Sequence, residues 1–245
     1  MAKPSAREDE ERFLAQYRAE DFPRPSVAVD IVVFTITDAD LKALLIKRSE
    51  HPFRGKWALP GGFVRVGKTD QGEDLDAAAE RELAEETSLP RGSVYLEQLG
   101  AFGKAGRDPR LRVISVAYFA LVRPTLVPFV TAGGDASHAK WWSVSEIAKG
   151  QLAFDHADIL DAALERAREK LDDSTIAFEL VAEAFTIPEL RAVYEVVKGA
   201  PQDPGNFRKR FLRMLEDGLL EVAPGKRITE TKPAKVYRFR KPVGR

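Results

Sequence analysis

The stretch that decides the fold is residues 73–89, which read EDLDAAAERELAEETSL and follow a Leu-Pro-Gly-Gly turn at residues 59–62. Its acidic residues recur at helical spacing, because Glu82, Glu85 and Glu86 stand at i, i+3 and i+4 and share one helix face. Carboxylates at this spacing repel each other, and a hard cation such as Mg²⁺ would relieve the repulsion. The sequence therefore predicts a helix that presents glutamates to a metal ion. The alternative is a solvated acidic face.

The same stretch resembles the Nudix box, G-x5-E-x7-R-E-U-x-E-E-x-G-U, in which U is an aliphatic residue. The matching positions hold Glu73, Arg81, Glu82, Leu83, Glu85, Glu86 and Leu89. Two departures stand out, because Ser88 replaces the second glycine and residues 67–71 look like an insertion before Gly72. The resemblance implies that Glu82, Glu85 and Glu86 are the metal ligands and the catalytic residues of any hydrolysis. The departures predict weak ADP-ribose hydrolysis at most.

Composition places the chain among ordinary globular proteins, with 245 residues, 44% hydrophobic and 31% charged residues. It has no cysteine, which excludes a disulfide framework and thiolate chemistry. No run of 18 apolar residues and no basic-then-apolar leader is present, so we expect a cytoplasmic protein without a membrane partner. The net charge of zero hides an asymmetry. Residues 201–245 hold 12 Lys and Arg against 5 Asp and Glu, a net of +7, which favours a polyanionic partner.

The order of elements predicts an α/β sandwich, a mixed sheet between helices, followed by a second and smaller domain. Predicted strands, rich in β-branched residues, cover residues 27–36, 41–48, 94–99, 111–122 and 140–143. Helical periodicity covers residues 155–171, with Asp155 as the N-cap. We expect a flexible segment over residues 1–21, a Nudix-like domain over 22–172 and a DNA-binding domain over 173–245. Within the first segment, Phe13, Leu14 and Tyr17 could dock a short helix.

The last domain has the pattern of a winged helix-turn-helix, an α+β fold. Thr186, Pro188 and Glu189 form a capping-box signature for its first helix. A basic second helix is predicted over residues 206–217, and two short strands at 219–222 and 236–239 flank a basic loop. In this fold the second helix enters the DNA major groove. The alternative is a small accessory domain with a basic solvent-facing surface.

Residues of the basic helix and loop divide into two predicted roles. We expect base-edge contacts from Asn206, Lys209 and Arg210, and mainly phosphate contacts, which position without specifying, from Arg208, Arg213 and the loop lysines, including Lys235.

The two domains together resemble the Nudix-related transcriptional regulators of NAD metabolism, the NrtR type, over about residues 22–240. The resemblance is carried by residues 52–64, 106–110, 154–160, 185–190, 206–208 and 233–237. It implies a homodimer that binds a palindromic operator of double-stranded DNA near NAD biosynthesis or salvage genes. It also implies that the Nudix domain binds ADP-ribose, or a related NAD-derived nucleotide, as the effector that releases DNA, and that the protein represses transcription. The rival interpretation is a Mg²⁺-dependent ADP-ribose pyrophosphatase with an accessory basic domain.

We expect arginine side chains to bind the diphosphate of the effector and aromatic side chains to bind its adenine ring. We expect Arg107, Arg110 and Arg112 to hold the diphosphate, since arginine suits bidentate phosphate contacts. Trp57 or Phe102 would stack on adenine, and Arg81 would orient the glutamates in the same site. Trp57 could instead belong to the core, and Arg112 could point into solvent. The three histidines, at positions 51, 138 and 156, lack metal-ligand spacing and are expected to be satisfied or exposed.

Overall fold

A computed structural model of the chain describes residues 6–18, 21–67, 72–130, 138–173, 175–228 and 232–240. Four of the five residues of the apparent insertion, 68–71, lie outside the described part. Seven strands form the larger sheet: β1 Ser26–Thr37, β2 Asp40–Lys47, β3 Trp57–Ala58, β4 Gly61–Phe63, β5 Tyr95–Phe102, β6 Val113–Leu121 and β7 Ala139–Ser143. The helices are α1 Ala6–Gln16, α2 Leu75–Thr87, α3 His156–Asp173, α4 Ile187–Lys198 and α5 Pro204–Glu216, and a second sheet joins β8 Leu220–Arg227 to β9 Ala234–Phe239.

Strand β1 lies at the centre of the larger sheet, whose order is β3-β2-β1-β6-β5, with β4 paired to β1 and β7 paired to β2. It runs parallel to β6 and antiparallel to β2. Its unbroken apolar sequence is explained by burial on both faces, as in parallel sheets that are covered on two sides. Asp38 and Ala39, which join β1 to β2, have φ values of 56° and 55°, the geometry of a two-residue hairpin turn.

Alternate residues of β1 face two different helices, which makes the larger sheet the middle layer of a sandwich. Ile31 and Val33 pack with Leu83 of α2. Val32 and Phe34 pack on the other side, in the core that contains α3. The predicted α/β sandwich is therefore confirmed.

The winged helix-turn-helix is also confirmed, with boundaries that differ from the prediction at α5. The α4 capping box is present, because Thr186 and Glu189 exchange side-chain-to-backbone hydrogen bonds. Helix α5 begins at Pro204 rather than residue 206, since Asp203 is its N-cap and accepts a hydrogen bond of 2.8 Å from the Asn206 backbone N–H. Proline is favoured in the first turn, where its missing N–H costs nothing.

The two parts share one core. Helix α3 runs to Asp173, and its buried Leu171 belongs to the same apolar cluster as Phe178, Leu190 and Phe211. By contrast, α1 buries none of its residues. Phe13, Leu14 and Tyr17 are exposed, so the expected docking of this segment is not observed. In the described part of the chain, no helix is long and apolar enough to cross a membrane.

Candidate functional site

The glutamates of α2 face the Gly61-Gly62 turn across a cleft. Gly61 donates its backbone N–H to Glu86 Oε2 at 3.0 Å. A Cβ on Gly62 would lie 2.3 Å from Glu82 Oε1. A side chain at position 62 would therefore push the Glu82 carboxylate away from the backbone. Glu85 lines the same cleft, so the structure brings the three predicted glutamates together.

Arg81 organises these carboxylates from a buried position. It contacts Glu73 at 2.5 Å, Glu82 at 2.6 Å and Glu85 at 3.2 Å. Hydrogen bonds from Arg81 lower the pKa of Glu73 to about 2. Only 5% of the Arg81 side chain is exposed. Arg81 therefore fixes the positions of the glutamates that it contacts and has little surface left for direct contact with an effector.

Glu86 is partly buried in the cleft, and burial disfavours its charged form. Its pKa is raised to about 8, chiefly by burial and also by the nearby charge of Glu82, against the lowering effect of the hydrogen bond from Gly61 N–H. A carboxyl group with this pKa holds a proton at neutral pH, which a bound divalent cation would displace.

The carboxylates do not converge as a metal centre. Among the described residues, no group of three or more His, Cys, Asp or Glu side chains is placed to hold a metal ion. Their oxygen atoms suit Mg²⁺, but Glu82 and Glu85 are turned toward Arg81, and Glu86 toward Gly61. No catalytic step through a metal follows from this arrangement.

Ser88 keeps the backbone shape that the missing glycine would supply. It ends α2 with φ of 61°, in the left-handed region, and its backbone N–H bonds to Ala84 O at 3.0 Å. A residue with a Cβ adopts this conformation at a cost of ~1 kcal/mol. The substitution thus retains the turn after the glutamates.

A second half of the cleft opens between β2, β4 and the start of α3. It is lined by Arg48, Phe63, Arg110 and Phe154, and it shares Gly61-Gly62 with the glutamate half. The Arg48 guanidinium lies 4.9 Å from the centre of the Phe154 ring, and Arg110 lies 5.5 Å from the centre of Phe63. Arginines above aromatic rings offer both phosphate contacts and stacking surfaces. Arg48, Phe63 and Phe154 were not singled out from the sequence, where only their position inside or next to the family motifs marked them.

Beneath this half lies a buried ionic network. Arg107 contacts Asp155 at 2.6 Å and Asp30 at 3.1 Å. Ser115 donates to Asp30 at 2.5 Å, and His156 Nδ1 accepts the Leu59 N–H at 2.9 Å. Burial would raise the pKa of Asp30, but His156, Ser115 and Arg107 outweigh it and lower the pKa. These contacts hold the first turn of α3 against β1.

The network corrects the prediction for Arg107. Its guanidinium is buried and bonded to two carboxylates, Asp30 and Asp155, so it forms the floor of the cleft rather than a free phosphate-binding group. Of the other predicted phosphate contacts, Arg110 lines the cleft and is held by Asp108 at 2.8 Å. Arg112 is exposed, does not line the cleft and donates to the backbone carbonyl groups of Lys104 and Val113, as its alternative anticipated.

The two predicted stacking residues also lie elsewhere. Trp57 packs edge-on against Trp142 at 5.3 Å and against the core, in line with its alternative. Phe102 lines a groove between β5 and α3. Neither ring is among the residues that line the cleft. The assignment of residues to strands does not show which aromatic side chains face the cleft.

The basic surface of the second domain combines α5 and the hairpin. Phe207 and Phe211 are buried, which leaves the opposite face in solvent. The exposed predicted residues are Asn206, Arg208, Lys209, Arg213 and, on β9, Lys235. Arg210 is the exception, because it bonds to Asp172 at 2.6 Å and lies over Tyr194. The expected base-edge role of Arg210 therefore needs correction, since its guanidinium is held by Asp172 and the Tyr194 ring.

Family comparisons agree with this two-part organisation. Residues 26–163 match the NUDIX domain, and residues 177–239 match the NrtR DNA-binding winged helix domain. The ADPR responsive transcriptional repressor NtrR of Acinetobacter baylyi is 37% identical over 230 residues, which covers 94% of this chain and 88% of that protein.

Two solved structures are similar in both sequence and fold. Shewanella oneidensis NrtR complexed with a 27mer DNA superposes with a TM-score of 0.72 at 35% identity, over 87% of this chain and 93% of that one. The NUDIX domain of the same protein complexed with ADP ribose gives a TM-score of 0.53 at 35% identity, over 64% of this chain and 97% of that one.

Proposed function

We propose the function of this chain from its family membership. The chain belongs to the NUDIX family, and its NUDIX domain is followed by an NrtR DNA-binding winged helix domain. The chain is a DNA-binding transcriptional repressor whose NUDIX domain binds ADP-ribose as its effector. Its relatives include a repressor described as ADPR responsive, and NrtR structures complexed with DNA and with ADP ribose. The regulated genes belong to NAD biosynthesis or salvage, and the protein acts in the cytoplasm.

The observation that carries the proposal is the exposed polar face of α5. A surface helix whose buried side is aromatic and whose outer side holds Asn206, Arg208, Lys209 and Arg213 has the charge and shape of a recognition helix. The hairpin adds Lys235 beside it. Base edges are read by Asn206 and Lys209, and phosphates are contacted by the remaining cations. A homodimer places two such helices on a palindromic operator, since operator symmetry mirrors protein symmetry.

The effector occupies the cleft between the glutamates and the arginine-aromatic half. Arg48 and Arg110 bind the diphosphate, because both are anchored over aromatic rings at the cleft wall. Phe63 and Phe154 supply the adjoining apolar surface.

A binding assay with operator DNA tests this function. Fluorescence anisotropy of a labelled palindromic DNA from an NAD-gene promoter should rise with the full-length protein at low salt. ADP-ribose should reverse the rise. AMP, which lacks the diphosphate, serves as the matched ligand control. An absence of operator binding at low salt refutes the proposal.

A second function, ADP-ribose hydrolysis, is favoured by one observation: the complete set of box glutamates around Gly61-Gly62. Slow hydrolysis could clear the effector without excluding repression. Mg²⁺-dependent release of AMP and ribose phosphate at ~1 s⁻¹ or faster, a rate typical of enzymes, would identify the chain as an enzyme. We expect slower turnover, with the glutamates retained chiefly for effector binding.

A further inference from the structure

Asp172, in the last turn of α3, bonds to the recognition helix α5 and to α4. Asp172 accepts hydrogen bonds from Arg210 of α5 at 2.6 Å and from Lys198 of α4 at 2.5 Å. Its backbone carbonyl accepts a third, from Arg210 Nη2 at 2.9 Å. The Arg210 guanidinium also lies 4.6 Å from the centre of the Tyr194 ring. Arg210 thus has one defined orientation, and Asp172 sets it.

The first turn of the same helix belongs to the cleft. Asp155 immediately precedes α3 and binds Arg107 through both of its oxygens. Phe154 and His156, on either side of it, line the cleft wall. The helix therefore begins where the effector is proposed to bind and ends at Arg210. At a rise of 1.5 Å per residue, Asp155 and Asp172 stand about 26 Å apart.

Between these ends α3 is packed along its whole length. Ile159, Ala163, Ala167 and Leu171 are all buried at one helical stripe. They belong to the cluster that also contains the core of α4 and α5. A close-packed helix of this kind moves as a unit, because interiors have few voids to absorb a local shift.

We propose that Asp172 is the positioning residue through which α3 transmits the state of the cleft to recognition helix α5, acting by way of Arg210. This inference rests on the proposed function. An effector seated against Arg48 and Phe154 at the cleft wall presses on the residues that begin α3 and so shifts the helix. The resulting shift of α3 moves Asp172, and the α5 surface with Asn206 and Lys209 changes its orientation to DNA.

The ion pair between Asp172 and Arg210 is suited to transmitting a movement of α3 rather than to stabilising the fold. The Asp172 side chain is 43% exposed and that of Arg210 is 32% exposed. Ion pairs with this exposure contribute little to folding, ~0–1 kcal/mol. The Asp172→Asn variant, which keeps the shape and removes the charge, should therefore fold. Asp161→Asn is the matched control, because Asp161 lies on the same helix and pairs with Lys149 at the surface, away from α5.

The test measures the affinity for operator DNA with and without ADP-ribose, and the affinity for ADP-ribose without DNA, on full-length protein. The ratio of the two operator affinities is the coupling factor, which is ~5–150 for typical allosteric proteins. In Asp172→Asn we expect it to fall at least about five-fold, while ADP-ribose affinity without DNA stays within about two-fold. Asp161→Asn should keep the wild-type factor. A loss of stability alone would not change this ratio.

An unchanged coupling factor in Asp172→Asn overturns the inference and leaves the proposed function intact. A wild-type protein that ignores ADP-ribose or fails to bind operator refutes the proposed function itself. If Asp172→Asn does not fold, Arg210→Lys tests the same contact from α5. It keeps the charge and loses the two-pronged geometry, so its coupling factor should fall as well, and a wild-type factor there overturns the inference.

Discussion

Replacing Glu86 by glutamine should change how the stability of the protein depends on pH. Burial, with the charge of Glu82 beside it, raises the pKa of Glu86 from 4.5 to about 8. A carboxyl group whose pKa is raised in the folded state stabilises the fold while it is protonated. That contribution is fully present below pH 4.5 and is lost as the pH rises toward 8. Glutamine can accept the same hydrogen bond and cannot ionise. The stability of the variant should therefore not fall in this way as the pH rises.

The size of the effect follows from the shift. Between the two pKa values the folded protein carries one more proton than the unfolded chain, so the stability falls by at most ~1.4 kcal/mol per pH unit. Over the whole pH range between the two pKa values, the loss of stability amounts to at most ~5 kcal/mol. Between pH 6 and pH 7.5, we therefore expect the stability of Glu86→Gln relative to the wild type to rise by ~1–2 kcal/mol.

Urea unfolding at several pH values without divalent cations measures this difference. Glu80→Gln is the matched control, since Glu80 lies on the same helix and borders the surface near Pro90 rather than the cleft. Parallel stability profiles for wild type and Glu86→Gln would refute the reasoning, because they would mean that Glu86 ionises in the fold as readily as in the unfolded chain. Added Mg²⁺ should flatten the wild-type profile if the ion binds the deprotonated carboxylates.

Three further substitutions test other parts of the account. Lys209→Ala should weaken operator binding ~10-fold, within the range for a base contact, and leave the ADP-ribose affinity measured by calorimetry nearly unchanged; equal loss of both would indicate misfolding. Arg107→Ala should destabilise the protein by ~3–5 kcal/mol in urea unfolding, because it removes the buried cation that Asp30 and Asp155 share. A loss as small as that of Arg112→Ala would contradict the buried network. Gly62→Ala should lower the stability by ~1 kcal/mol in a thermal melt. The added Cβ would lie 2.3 Å from Glu82 Oε1 and would displace that carboxylate. An unchanged stability would refute the steric argument.

The sequence was sufficient for the fold because its signals are local. The capping box at Thr186 and Glu189, the apolar run of β1 and the spacing of the box glutamates each depend on a few neighbouring residues. These elements formed where they were expected. The start of α5 was misplaced by two residues, since both Asp203 and Asn206 can cap a helix and only the backbone decides between them.

The side chains of the cleft could not be assigned in the same way, because their roles depend on distant partners. The sequence predicts that Arg107 is a phosphate ligand, but Asp30 and Asp155, 77 and 48 residues away, are bonded to it. Arg210 looked free for DNA, but Asp172, 38 residues before it, holds it. Spacing along a helix predicts a face, and it does not predict which opposite charge from another element covers that face.

We propose that ADP-ribose binding and operator binding oppose each other in one protein. The most direct test is a titration of ADP-ribose into the full-length protein bound to labelled operator DNA, with AMP release followed on the same sample. We predict that the DNA dissociates as ADP-ribose binds, while AMP appears far more slowly than the DNA is released. DNA that stays bound when the effector site is saturated, or release that follows AMP production instead of binding, would contradict the account.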